Sequence, residues 1–520
     1  MSSGLLDDPR LGAGNLFRLA AAATRGAAQS RIELDVPYLT LGGERVHRFT
    51  LNALDELTDR VAAGFHHDGI RAKDPVAVFL GESVRYLIHY IALTKLGAIP
   101  VFLNSSLDPE TARAFIQRVG AVAVVSDPER LAKDALDLPY YEADPYSPDQ
   151  VTYFRHTEND PVLIAHTSGT TGVPKAVQFN HYGFFFGIRQ QADADLGERI
   201  LSVLPQSHAS AISVLMSGVL RGLDVMLATE RSPKRLVERF AAFRPQLVVG
   251  FPKVFVDLCR LDLDPADFAS ISYWMCTGDA NHEQHIRKLV ALGNHTDRSG
   301  RQQPGSLFID NFGSSEFGFA MFRQVHTPTS DRYGRCIGRP FAWIDAQVFD
   351  DQDEPLGPFT VGRLGLKSPT VTAGYWNNSL LSEKNRVRGY WLTGDFAFRD
   401  EDGRFYHVDR TTDAITTSRG TVYSTQTEEL ILRNFPGLQD CSLVKSEDTG
   451  ELVLAVELAD PAADLDGLLT RINETLTAAA LLPADRILTK GSEEFTGVTG
   501  KALKRAMRRT YAADGAHGQP

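Results

Sequence analysis

Between about residues 50 and 260 the hydrophobic pattern switches repeatedly from a helical to a strand period. Asp108-Pro109 predicts a helix start, an N-cap followed by proline at the first helical position. Thr111 to Val119 carries the helical spacing until Gly120 ends it, and Ala121-Val122-Ala123-Val124-Val125 follows as a short buried strand. The unit recurs: Ser232-Pro233 opens a helix through Phe243, Arg244-Pro245 stops it, and Leu247-Val248-Val249 runs into Gly250. Such alternation predicts parallel sheets covered by helices, with ligands in loops at the carboxyl ends of strands. The strand-like run Val162-Leu163-Ile164 leads into a loop of that kind.

The last hundred residues follow a different pattern. Cys441 to Lys445 and Leu452 to Leu458 flank Glu447-Asp448-Thr449-Gly450 as a hairpin, with helical patterns near Thr427 to Asn434 and Leu465 to Ala478. The expected fold class is α/β: a large N-terminal domain of parallel or mixed sheets flanked by helices, then a small α+β domain. The expected bounds are residues 1–409, a hinge at 410–413 in a stretch rich in Thr, Asp and Arg, and residues 414–520.

A chain of 520 residues has room for more than one core, and 43% hydrophobic with 23% charged residues is ordinary for a globular protein. The formal net charge of −11 argues against a general nucleic-acid partner. Cys259, Cys276, Cys336 and Cys441 are scattered without a CxxC pair, so neither a zinc site nor a disulfide framework is expected, and a reducing, cytoplasmic setting is the simplest fit. The start of the chain lacks the pattern of a signal peptide. The most apolar stretch, Tyr86 to Leu103, is broken by His89, Lys95, Gly97 and Pro100 and is too short to span a bilayer, so no membrane partner is expected.

Candidate chemistry concentrates in Ala165-His166-Thr167-Ser168-Gly169-Thr170-Thr171-Gly172-Val173-Pro174-Lys175. Glycines allow a tight turn and close approach to a ligand, hydroxyls and successive N–H groups can line an anion site, and Lys175 adds a point charge for phosphate. The order is not that of the mononucleotide P-loop, because Gly172 is not followed by Lys and then Ser or Thr. It resembles the phosphate loop of adenylate-forming enzymes: acyl- and aryl-CoA synthetases, peptide-synthetase adenylation domains and luciferases. Ala176 departs from that pattern, where Gly is usual.

Partner motifs follow in the family's order. Asn311-Phe312-Gly313-Ser314-Ser315-Glu316 resembles its aromatic-Gly-x-Thr-Glu motif, which implies that Phe312 stacks near adenine and that Glu316, with Thr170, helps hold Mg²⁺. Gly374-Tyr375-Trp376 precedes Thr393-Gly394-Asp395, whose carboxylate would accept hydrogen bonds from both ribose hydroxyls. Arg410, in a segment resembling the hinge motif, would contact ribose or phosphate, and Thr412 and Asp413 are the hinge candidates. Here the departures are large: the usual hinge Asp or Lys falls on Thr412, the usual Lys falls on Thr416, and the run to Gly420 has one extra residue. Gly497-Val498-Thr499-Gly500-Lys501 resembles the final motif, with Lys501 as catalytic lysine, while Lys504, Arg505, Arg508 and Arg509 look like a basic helix start. On the substrate side, His208 of Leu204-Pro205-Gln206-Ser207-His208, Gly250-Phe251 and Gly278-Asp279 resemble pocket-wall segments. Asp279 has two open readings, contact with a polar or amino group on the substrate or a turn cap.

The resemblance covers about residues 15 to 510. It implies an enzyme that binds ATP and Mg²⁺, joins an oxyanion to AMP with release of pyrophosphate, and then rotates a mobile small domain to deliver the activated group. The small-molecule substrate expected first is an aryl or medium-sized carboxylic acid, with CoA as acceptor. An alternative is an ATP-dependent diazotase that adenylates nitrite and passes it to an aryl amine. A third reading is a nucleotide-binding regulator without catalysis. Monomer and homodimer both remain open.

Overall fold

The computed structural model describes residues 4–24, 30–167, 174–278, 281–297, 299–491, 495 and 503–513. The two helix–strand units form for the reasons their local sequence suggests. Asp108 Oδ1 accepts the Thr111 N–H at 2.9 Å, the helix runs Pro109–Val119, and Gly120 ends it in the left-handed region. The following strand is Ala123–Ser126, starting later than the apolar run, because the Ala121 N–H still bonds back to Ile116 O. The second unit is the helix Pro233–Phe243 and the strand Leu247–Gly250.

Two sheets dominate. A six-stranded sheet runs in the order Tyr140–Tyr141, Ala123–Ser126, Pro75–Phe79, Ile99–Phe102, Pro161–His166, Ala176–Asn180. Its first five strands are parallel and the last pair is antiparallel. The second sheet has fourteen strands. Its parallel part places Asp224–Leu227, Arg199–Ser202, Leu247–Gly250, Tyr273–Thr277 and Leu307–Phe312 side by side. Antiparallel strands, including Tyr390–Arg399 and Phe405–Arg410, continue it. The apolar stretch singled out in the sequence is a helix, Arg85–Leu96, packed on nearly every side, followed by the strand Ile99–Phe102. Among the described residues no helix is long and apolar enough to cross a membrane.

The C-terminal part has its own apolar core, built from Ile415, Ile431, Leu443, Leu454, Ile472 and Leu476 among others, apart from those under the large sheets. Its hairpin pairs Leu438–Lys445 with Leu452–Leu458, and Arg486–Thr489 adds a parallel third strand. Polar contacts join it to the larger part: Arg260 to Glu457 at 2.6 Å, His282 to Glu429 at 2.7 Å, and His285 to the Gln439 carbonyl at 3.1 Å. The basic segment does start a helix, and its first lysine points inward. In the helix Lys504–Ala513, Lys504 is buried and its ammonium donates to Ser424 Oγ at 2.7 Å and pairs with Glu428 at 2.8 Å. Burial opposes its charge, but Glu428 and Asp409 outweigh that and raise its pKa.

Candidate active site

A cavity of about 810 Å³ opens between the two parts, at the carboxyl ends of the parallel strands and beyond. The phosphate-loop candidates Ser168, Gly169, Thr170, Thr171 and Gly172 lie outside the described residues, as do Asp279 and Lys501. The neck of that loop is described. His166 pairs with Ala176 across the antiparallel strands, and the Thr167 N–H donates to Lys175 O at 3.1 Å. His166 Nε2 accepts the Asn104 N–H at 2.8 Å, which leaves Nδ1 to donate to Thr167 O at 3.0 Å. That arrangement needs the neutral ring, and burial lowers the His166 pKa in the same sense.

Lys175 and Glu316 face the cavity and are coupled through a residue that sequence reasoning gave no role. The Lys175 ammonium lies 3.3 Å from the Tyr375 hydroxyl and 5.0 Å from its ring centre. The Tyr375 hydroxyl donates to Glu316 Oε1 at 2.9 Å, and Ser314 Oγ donates to Glu316 Oε2 at 2.9 Å. Burial and the neighbouring Glu316 both push the Tyr375 pKa up, so it remains a donor. Tyr375 reaches this position because the Gly374-Tyr375-Trp376 segment docks along the strand Ala176–Asn180: Gln178 N–H bonds to Gly374 O and Trp376 N–H to Ala176 O.

Asp395 sits on the strand Tyr390–Arg399 opposite Arg410 of Phe405–Arg410. Its carboxylate is 2% exposed, 3.3 Å from Arg410 and 3.4 Å from His407. Burial alone would raise its pKa, but Arg410 and His407 hold the carboxyl down at about 2. Asp395 Oδ1 is the atom nearest both Arg410 and His407, and it makes no hydrogen bond with a described residue. It stands behind the cavity wall, which His407 and Arg410 form.

The remaining candidates divide. Thr167, Asn311, Gly313, Ser315, His208, Phe251, Gly278, Thr412 and Asp413 line the cavity. Phe312 and Gly250 do not: the Phe312 ring packs on His407 at 5.1 Å and Phe322 at 6.0 Å, and Gly250 is fitted against Val203. His208 caps the helix Ala209–Arg221, its Nδ1 accepting the Ser210 N–H at 3.2 Å, and its ring meets Phe251 edge-on. Gly278 has φ +93°, and a Cβ there would stand 2.8 Å from the Phe251 ring, so a larger residue would narrow the pocket and strain the backbone. At the hinge candidates, Arg508 approaches Asp413 at 3.6 Å and donates to the Thr412 carbonyl at 3.4 Å. Arg221, Arg323 and Lys490 also line the cavity, and none was singled out in the sequence. Lys490 pairs with Asp440 at 2.7 Å.

The donor set suits a nucleotide: a lysine at the neck of the candidate phosphate loop, a carboxylate beside it, and an acceptor-only aspartate paired with an arginine. Comparisons agree. The AMP-binding enzyme family model matches residues 27–376. A 3-aminoavenalumate diazotase from a Streptomyces species is 38% identical, covering 99% of this chain and 98% of the relative. A 3-amino-2-hydroxy-4-methoxybenzoate diazotase from Streptomyces cremeus is 27% identical over 86% of each chain. Among solved structures, the anthranilate CoA ligase AuaEII in complex with anthranoyl-AMP superposes with a TM-score of 0.81 at 17% identity, covering 98% of this chain and 99% of that one. The chain therefore belongs to the AMP-binding enzymes of the adenylate-forming (ANL) superfamily and is an adenylate-forming ligase.

Proposed function

We propose that this enzyme is an ATP-dependent diazotase acting on an aminoaryl carboxylic acid, rather than a carboxylate–CoA ligase. The observation that carries the reading is the 38% identity, over almost the whole of both chains, to a protein whose name states diazotase activity. The hinge region supports it. Thr412 and Thr416 stand where the family's hinge motif usually has charged residues, so the part of the chain that resembles the second-step machinery is the part that departs, which leaves room for another acceptor.

The first step joins two anions: a nitrite oxygen attacks the α-phosphorus of ATP, the bond to pyrophosphate breaks, and nitrosyl-AMP forms. Catalysis of such a step is mostly positioning and charge neutralisation. Lys175 faces the departing phosphates, and Asp395 with Arg410 holds the ribose. Glu316, which lines the cavity, would hold Mg²⁺ together with the substrate's phosphate oxygens, and the ion would supply charge neutralisation there. Lys501 brings an ammonium to the attacking oxygen and the α-phosphate. In the second step the aryl amine nitrogen attacks the nitrosyl nitrogen and AMP leaves with the former nitrite oxygen. The amine proton is lost, and the N-nitroso product tautomerises to a diazohydroxide. Protonation and loss of water then give the diazonium ion.

The test is a reaction of the enzyme with ATP, Mg²⁺, nitrite and 3-aminocinnamate, followed by azo coupling to a naphthylamine. Nitrite-dependent pyrophosphate release and a coloured azo adduct formed without CoA are expected. Formation of an aryl-CoA thioester from the same acid, with no dependence on nitrite, would overturn the reading.

A further inference from the structure

The helix Ala209–Arg221 lays one face along the cavity: Ser210, Ser213, Ser217 and Arg221 recur at helical spacing and all line it. From Ser210 to Arg221 this wall extends about 16 Å. The opposite wall is apolar, with Ile200, Leu247, Val249 and Met275 from parallel strands. Direction follows from the topology. Glu316 and its loop come after the carboxyl end of Leu307–Phe312, whereas Arg221 immediately precedes the amino end of Asp224–Leu227, a parallel strand of the same sheet. Arg221 therefore marks the end of the slot remote from the nucleotide loops.

Four arginines line this cavity, Arg221, Arg260, Arg323 and Arg410, and Arg221 and Arg323 differ in how they are held. Arg323 is fixed by neutral partners, Asn311 Oδ1 at 3.0 Å and Gln191 Oε1 at 2.9 Å, and lies over the Phe341 ring. Arg221 makes no hydrogen bond or ion pair with a described residue. It is partly buried, burial lowers its pKa, and Asp195 is near enough to favour its charge. A cation is ordinary at a helix C-terminus, but a side chain turned to water would serve that purpose equally well. A partly desolvated guanidinium at the end of a slot with a serine-lined wall and an apolar wall instead offers a planar fork to a carboxylate.

We infer that Arg221 anchors the carboxylate of the substrate, so that an aminoaryl acid lies along the slot with its amine toward the nucleotide. The inference rests on the aryl-amine reading above and adds the substrate's orientation and its specificity-determining residue.

The probes are 3-aminocinnamate and its methyl ester, titrated calorimetrically into the full chain without nitrite. Wild type is expected to bind the acid about tenfold or more tighter than the ester. Arg221→Gln should lose that preference with ester affinity retained, and Arg221→Lys should recover part of it. In turnover, Arg221→Gln should raise KM for the acid far more than it lowers kcat. Retained ester binding shows that the variant is folded. Equal affinity of wild type for acid and ester, or a preference that survives in Arg221→Gln, would overturn the anchor. If wild type ignores nitrite but discriminates acid from ester through Arg221, the diazotase reading falls and the anchor stands.

Discussion

At the end of the cleft proposed for the nucleotide, charged side chains are cross-held by the protein: Lys175 by Tyr375, Glu316 by Tyr375 and Ser314, Asp395 by Arg410 and His407. At the far end, Arg221 has no such partner among the described residues. The difference separates two design problems. Phosphate and ribose are the same in every turnover, so their ligands can be oriented in advance, and preorganised groups lose little on reaction. A particular substrate is recognised by what it alone brings, and a cation left open to one carboxylate makes its absence costly.

The comparison can be broken by substitutions at the nucleotide end. The largest effect is expected for Lys501→Ala: pyrophosphate release should fall by roughly a thousandfold, about 4 kcal/mol of barrier, while AMP still binds. Unchanged release would remove Lys501 from the first step. Asp395→Asn should raise the KM for ATP by roughly 10- to 100-fold, because it removes both ribose acceptor charge and the partner of Arg410. Equal KM values in steady-state kinetics would count against the ribose contact. Tyr375→Phe deletes one hydroxyl between Lys175 and Glu316, and a loss of about 1–2 kcal/mol in kcat/KM for ATP is expected. The smallest effect is a flat pH profile. A carboxyl whose folded pKa is depressed to about 2 stays charged until the pH falls to that value, so adenosine affinity should not change between pH 7.5 and 5.5. A loss of adenosine affinity across that window that is absent in Asp395→Asn would show the carboxylate titrating much higher.

How much of this was legible in the sequence depended on the range of each signal. The helix start at Asp108-Pro109 and the hairpin around Glu447 to Gly450 are written in adjacent residues and fold as expected. Lys175 and Glu316 were singled out through ordered motifs, and both line the cavity. Tyr375 was not, because its role arises from docking on a strand two hundred residues earlier in the chain. Lys504 stood out only as part of a basic helix start, although Lys504, Met507 and Tyr511 recur at helical spacing and are all buried. Arg221 looks like an ordinary dipole partner at a helix end. Only the fold reveals that the same helix lines a cavity.

The account turns on which oxygen attacks ATP, and isotope transfer reads that directly. The enzyme would be supplied with ATP, an unlabelled aminoaryl acid and nitrite labelled with ¹⁸O, and the AMP product weighed by mass spectrometry. Nitrite as the attacking group predicts one ¹⁸O in AMP. Unlabelled AMP here, with label appearing in AMP only when the acid's carboxylate carries ¹⁸O, would contradict it.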